Sequence, residues 1–288
     1  MVRSLSTTQK GILSAFGGFT AFALADACSK WLGAKYEPVF IIFWVYYIAI
    51  FFGLMLSPFL GGLKQTIRTQ KLAHHILRGV SALAVGMLVV TAMSQGLPLA
   101  TMYTILFLSP FLITIVAIPV YKEKVTLKNW IIIAIGFFGI IVAFHDGLGV
   151  FSTEVMYIFC ALFFIVIIGI LARPLTEPET LLSLSFYPSI STALITFLLL
   201  YPDLSLPNTA DIPIFLLNSI FAIIGLSGIA YGYRIAPYAV IAPVHYIQMV
   251  LALILGYVVF NDVPDFWMMV GAVIIIISGI MLIAHEKS

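Results

Sequence analysis

Apolar runs of helical length follow one another along nearly the whole chain, separated by short polar breaks. A helix needs ~20 apolar residues to cross the hydrocarbon core of a bilayer. Ten stretches satisfy that length: residues 11–31, 38–60, 76–96, 98–120, 128–145, 154–174, 179–201, 213–234, 237–260 and 265–284. The breaks leave no room for a sizeable soluble domain. The pattern predicts an all-α polytopic membrane protein with ten transmembrane helices.

The pattern also repeats. The stretch from Pro98 to Gly139 reads as an apolar helix, a charged break at Lys122-Glu123-Lys124, and a second apolar helix. A shift of 139 positions places Pro98 on Pro237, Ala100 on Ala239, Phe107 on Tyr246, Glu123 on Asp262 and Gly139 on Ser278. Near the starts of the two halves a shift of 143 places Lys30 on Arg173 and Phe43-Trp44 on Phe186-Tyr187. These matches predict an internal duplication, with residues 1–146 as the first repeat (spans 1–5) and 147–288 as the second (spans 6–10).

Charge sets the expected orientation. With the N-terminus in the cytoplasm, Arg3, Lys10, Lys64, Arg68, Lys71, Arg78, the lysines around residue 124, Arg173, Arg234 and Lys287 fall on or near the inner side. Lys30 and Lys35 fall outside, with Glu37, Asp146, Asp203, Asp211, Asp262 and Asp265. Positive residues favour cytoplasmic loops, so both termini are expected in the cytoplasm of a cell whose inner membrane the chain spans. Five spans per half is an odd number, so the halves enter the membrane in opposite senses. The expected architecture is two inverted five-helix repeats, a design of secondary transporters with the substrate site near the midplane. Arg3 and Lys10 ahead of Ala23-Leu24-Ala25 imitate a signal peptide. That run is long for one, however, and its removal would unpair the halves.

Composition agrees with lipid as the main solvent. Of 288 residues 62% are hydrophobic and 9% charged, against about 25% charged in soluble domains. A formal net charge of +2 without a dense basic run excludes nucleic acid as a partner. Cys28 and Cys160 sit in apolar stretches, too few for a disulfide framework or a metal site, and read as packing residues. No cofactor motif is present.

Polar groups at membrane depth are the candidate chemistry. Asp26 lies sixteen residues past Lys10, ~24 Å along the helix at ~1.5 Å per residue. An ionised aspartate there costs ~2.5–3.5 kcal/mol to insert, so it is expected to face a cavity or a partner. Lys30 at i+4 is a candidate partner on the same face; a coupling proton or a cationic substrate group is the alternative. His245 and Gln248, three apart on the ninth span, can address one target, and an imidazole suits proton coupling. Tyr246 points elsewhere from them but remains a candidate. Aromatic stripes follow: Phe40, Trp44, Tyr47 and Phe51 on the second span, Tyr103 and Phe107 on the fourth, and Tyr187 between Ser183 and Ser191 on the seventh. Trp44, Tyr47, Tyr103 and Tyr187 lie deep enough to stack on a planar or cationic substrate. Other polar groups have structural readings. Glu123 and Asp262 are expected at repeat hinges. Arg78, Arg173 and Arg234 are expected as topology determinants, His74 and His75 as solvated loop residues, and Tyr231 and Tyr233 as interface residues. Gly17, Gly18, Gly136, Gly139 and Gly271 are expected at close helix crossings.

Several motifs carry a family resemblance. They are Arg78-Gly79 opening the third span, Leu97-Pro98-Leu99-Ala100, and Glu123 followed by Trp130 and Gly139; then Ala236-Pro237, Asp262-Val263-Pro264 and Gly271. In this order, and in double occurrence over nearly the whole chain, they resemble the EamA-type members of the drug/metabolite transporter superfamily. Within it, Ala25-Asp26-Ala27-Cys28-Ser29-Lys30, His75-Ile76-Leu77-Arg78-Gly79 and Phe260-Asn261-Asp262-Val263-Pro264-Asp265 resemble S-adenosylmethionine uptake transporters of obligate intracellular bacteria. Those proteins tend to carry an arginine in the second span, where this chain has Phe43-Trp44-Val45-Tyr46-Tyr47. The superfamily also includes exporters of amino acids and other metabolites. The resemblance implies a carrier of a small polar metabolite that works by alternating access, as a monomer or homodimer in the lipid bilayer. No nucleotide-binding G-x-x-x-x-G-K-[ST] loop is present, so a proton gradient or an exchanged substrate is expected to supply the energy. No H-E-x-x-H or G-x-S-x-G motif supports an enzyme, and no filter-like loop supports a channel.

Overall fold

A computed structural model describes residues 5–59, 62–122, 126–145, 152–172, 174–175, 179–180, 182–241, 244–245, 247–263 and 265–285. Among these residues the regular structure is entirely helical. The α-helices are α1 (Thr7–Gly33), α2 (Pro38–Leu56), α3 (Leu63–Thr66), α4 (Leu72–Ser94), α5 (Leu99–Leu106), α6 (Leu108–Tyr121), α7 (Leu127–Ala143), α8 (Thr153–Ala172), α9 (Ser183–Leu200), α10 (Ile212–Ile235), α11 (Tyr238–Ile241), α12 (Ile247–Phe260) and α13 (Phe266–His285). With α5 and α6 taken as one length, seven helices are long and apolar enough to cross a membrane. Three shorter apolar helices accompany them, within α7, α12 and α13.

The starts of the helices are written in the sequence. Ser6 caps α1 by accepting from the Gln9 amide at 3.2 Å, while the Gln9 side chain accepts from the Ser6 amide at 2.9 Å. This reciprocal pair occupies two amides that the helix itself cannot satisfy. Pro38 opens α2, and Pro98 immediately precedes α5, positions where a missing N–H costs little. Pro110 lacks the N–H that would bond Leu106, and the helix breaks between α5 and α6 at Phe107. α6 ends at Lys122 and α12 at Asn261, both in the left-handed conformation with φ 55°.

Four lateral pairs build the bundle: α1 with α10, α4 with α8, α2 with α9 and α7 with α13. The α1–α10 crossing is the tightest. A Cβ added at Gly18 would lie 2.7 Å from the Ile229 amide nitrogen, and one at Gly228 would lie 2.7 Å from the Ser14 carbonyl oxygen. Only glycine lets these backbones approach so closely, which is how helices gain dispersion contacts in lipid. Gly139 and Gly271 do the same for α7 and α13. Gly136 accommodates the Phe111 ring, while Gly17 faces open space and makes no crossing. Cys160 is exposed on the outside of α8 rather than packed.

We call the end of the bundle holding the start of α1 the near end, and the end holding the α1–α2 turn the far end. In both α1 and α4 the chain runs from near to far: a Cβ on Gly33, the last residue of α1, would lie 3.3 Å from the Cβ of Ser94, the last of α4.

Candidate functional site

A cavity of about 200 Å³ runs between α1, α2, α4, α5, α6, α8, α10 and α12. Its walls are mostly apolar, with polar groups gathered from separate helices. Asp26 on α1 accepts a hydrogen bond from the Tyr103 hydroxyl on α5. Gln248 on α12 donates to the same hydroxyl at 3.4 Å. Nearby, the Asn218 amide on α10 donates to the Ser29 hydroxyl at 2.9 Å. His245 stacks on Phe19 with ring centroids 4.5 Å apart, meets Phe107 edge-on at 5.4 Å, and places Nδ1 3.3 Å from Ser109 Oγ. Of the sequence candidates, Asp26, Tyr103, His245 and Gln248 thus line one space.

The others stand elsewhere. Lys30 does not pair with Asp26: its Nζ reaches Asp262 at 2.5 Å and lies 4.7 Å from the centroid of the Phe260 ring. Its long stem lets the charge leave the shared helix face, and Tyr103 takes its place beside Asp26. The aromatic stripe of α2 points away from the cavity, whose wall on this helix is Ile41, Ile42, Val45 and Tyr46. Trp44 donates to the Ser205 carbonyl at 3.2 Å, and Tyr47 is 54% exposed. Helical spacing says which residues share a face, not which face turns inward. Tyr187 donates to the Ile67 carbonyl at 2.5 Å and lies against His75, with ring centroids 4.9 Å apart. Tyr246 and Glu123 lie outside the described residues.

The near end differs most from expectation. His75, expected in water, is completely buried with Nε2 2.9 Å from Glu179 Oε2. Glu179 also accepts from the Thr69 hydroxyl at 2.7 Å, the Gln70 amide at 3.3 Å and the Ser183 hydroxyl at 3.1 Å. Burial by itself pushes this carboxyl upward; the hydrogen bonds from Thr69 and His75 outweigh it and hold it below the usual carboxylate range. Arg234 donates to the Glu179 carbonyl, and Lys71 to the Pro174 carbonyl at 2.6 Å. Arg78, expected as a loop-side charge, is buried, lines the cavity and donates to the Leu184 carbonyl at 3.2 Å. Tyr233 is buried in the same cavity wall rather than at an interface.

At the far end Lys35 donates to Asp211 at 2.8 Å, and the Tyr36 hydroxyl donates to the other oxygen at 2.8 Å. The Lys35 ammonium, with the Tyr36 hydroxyl, holds the Asp211 carboxyl below its ordinary range against the opposing effect of burial.

Sequence reading missed Ser29, Asn218 and Arg78 as cavity residues, and Glu179 altogether. Asn218 carried the signal that revealed Asp26, a polar side chain inside an apolar span.

A bundle of apolar helices around a partly polar cavity is the architecture of a polytopic membrane protein, and the family it matches is one of transporters, not enzymes. The EamA-like transporter family model matches residues 9–144 and again 152–284, and the chain belongs to that family. It is similar to the S-adenosylmethionine uptake transporter of Rickettsia prowazekii (strain Madrid E), 27% identical over 99% of this chain and 96% of the relative. The riboflavin transporter of Vibrio cholerae serotype O1 is 24% identical over 90% of this chain and 87% of the relative. One solved crystal structure superposes with a TM-score of 0.71 at 16% identity, covering 96% of this chain and 99% of its own; that likeness concerns the fold alone.

Proposed function

We propose that this chain is a ten-span secondary transporter that moves a small polar organic metabolite across the cytoplasmic membrane by alternating access. S-adenosylmethionine is the first candidate, and uptake its direction. The observation that carries the reading is the Asp26 carboxylate, held by Tyr103 and facing a cavity lined from both halves of the chain. A carboxylate so placed suits a sulfonium or ammonium group, or a coupling proton. The relatives named for S-adenosylmethionine uptake add their weight.

The inverted-repeat architecture, 1–146 and 147–288, has support in the backbone. The left-handed residues Lys122 and Asn261 stand at the same 139-residue shift that aligns Pro98 with Pro237. The first residues of α7 and α13, Leu127 and Phe266, stand at that shift too. Each of the four lateral helix pairs joins one half to the other, so a rocking of the halves opens one end of the cavity as it closes the other. With both termini in the cytoplasm, the near end is the inner one.

The test is time-dependent uptake of labelled S-adenosylmethionine by proteoliposomes. Saturable uptake, accelerated by unlabelled substrate trapped inside, is expected. Uptake that rises linearly with concentration and ignores trapped substrate contradicts a carrier. A planar flavin-like substrate is the second reading, favoured by the ring pair of Phe19 and His245 on the cavity wall and by the riboflavin transporters among the relatives. Competition by riboflavin stronger than that by unlabelled S-adenosylmethionine selects it.

A further inference from the structure

The cavity holds a polar pair that the transport reading leaves unused. Asn218 on α10 is 1% exposed and lines the cavity together with Ser29 on α1. Its amide nitrogen donates to the Ser29 hydroxyl at 2.9 Å, and among the described residues no hydrogen bond reaches its amide oxygen. A buried carbonyl is costly to leave unbonded, so this oxygen is suited to a donor that enters the cavity. Asp26 stands in a similar position. Tyr103 occupies one of its oxygens, and among the described residues no cationic side chain pairs with it. The two groups are neighbours. Ser29 follows Asp26 by three residues in α1, which puts the two side chains on one face with ~5–6 Å between their Cβ atoms. The hydrogen bond to Ser29 ties Asn218 to that face from α10.

We propose that Asp26 and Asn218 form an ammonium cradle in the substrate cavity, so that the transported molecule presents a protonated amine that donates to the Asp26 carboxylate and to the Asn218 amide oxygen. This rests on the reading of the cavity as the transport site, and it selects among the cations that Asp26 could accept. A primary ammonium carries three donors and no acceptor. Placed about 2.8 Å from each of two oxygens, its nitrogen bridges acceptors up to ~5–6 Å apart, the separation that neighbouring turns of α1 provide. A sulfonium carries the charge without a donor and leaves the Asn218 oxygen unbonded. A site built to receive N–H groups rejects an analogue that lacks them, because its own buried polar groups are then unpaired. In S-adenosylmethionine the group that meets Asp26 is accordingly the amino-acid ammonium, and the sulfonium lies elsewhere in the cavity.

The test measures the affinities of three ligands for the purified protein in detergent: S-adenosylmethionine, S-adenosylhomocysteine and N,N,N-trimethyl-S-adenosylhomocysteine. The second lacks the sulfonium and keeps the ammonium. The third keeps the charge on nitrogen and has lost every N–H. Wild type is expected to bind S-adenosylhomocysteine within tenfold of S-adenosylmethionine, and the trimethylated form at least tenfold more weakly than S-adenosylhomocysteine. A loss of more than tenfold on removing the sulfonium overturns the proposal, as does a smaller than tenfold loss on trimethylation. Asn218→Leu is expected to narrow the preference for N–H over N-methyl at least threefold, by weakening S-adenosylhomocysteine alone. Asn218→Asp keeps an acceptor oxygen and is expected to keep the preference. A preference that survives undiminished in Asn218→Leu comes from the bulk of the methyl groups and overturns the role of Asn218. The wild-type comparison decides even where Asn218→Leu does not fold. Failure of wild type to bind either S-adenosylmethionine or S-adenosylhomocysteine contradicts the transport reading beneath the cradle, whereas binding without the N–H preference contradicts the cradle alone.

Discussion

At the near end Glu179 gathers His75, Thr69, Gln70 and Ser183 into a single buried web, while Arg234 and Lys71 clamp backbone carbonyls of the same segment. At the far end Lys30 and Lys35 each meet one aspartate, and the Lys35 side chain is 46% exposed. Both arrangements join the first half of the chain to the second, but they differ in what it takes to open them. Removing an acceptor from buried donors costs about 1–3 kcal/mol for each donor left unsatisfied. An exposed pair contributes ~0–1 kcal/mol. The far end is held by fewer and more exposed contacts than the near end, so it is the end expected to part more easily.

The contrast is broken most strongly at Glu179. Glu179→Ala leaves His75, Thr69 and Ser183 without their shared acceptor and is expected to destabilise the protein by about 3 kcal/mol, read as a fall in thermal midpoint in detergent. A midpoint within 1 °C of wild type removes the distinction between the ends. Next in size is Gly18→Leu, whose side chain meets the Ile229 backbone and is expected to separate α1 from α10, seen as loss of monodisperse protein on purification. Lys30→Met removes a single part-buried pair, with the two side chains 11% and 22% exposed, and is expected to cost less stability than Glu179→Ala. Its expected signature is faster hydrogen exchange around the α12–α13 turn with no change near Glu179; faster exchange at both ends contradicts independent fastening. The smallest effect concerns pH. The Asp211 carboxyl is held below its ordinary value, so the pair contributes stability above the unfolded carboxylate pKa of ~3.9. That contribution is lost as pH falls through the lower folded value. Asp211→Asn is therefore expected to lower stability slightly in the neutral region and to match wild type at the acid end, where the wild-type pair is already lost, so that the acid limb of the profile is shallower.

The helices were legible because hydrophobic length is a local property. The runs 38–60 and 213–234 match α2 and α10 closely, and the prolines mark where helices open or break. Part of the cavity was legible for a related reason: Asp26, His245 and Gln248 are polar where lipid offers nothing to satisfy them. What the chain order concealed was direction and partnership. Trp44 and Tyr47 form a stripe, but in lipid no solvent penalty turns aromatic rings inward, and the α2 face toward the cavity carries Ile42 and Val45 instead. His75 and Arg78 neighbour a basic loop and so read as solvated. They are buried by the segment around Glu179 and Leu184, more than a hundred residues further along. Lys30 left its helical neighbour for Asp262, 232 residues away.

On the proposed function, the Asp26 carboxylate is the cation-binding subsite of a carrier. Counterflow of labelled S-adenosylmethionine into proteoliposomes preloaded with unlabelled substrate tests it most directly, with wild type and Asp26→Asn reconstituted to equal density and shown to be equally folded. Asparagine keeps the shape and can still meet Tyr103, but it lacks the charge. Transient accumulation of label with wild type, and none above empty liposomes with Asp26→Asn, is the expected result. Equal accumulation with both contradicts it.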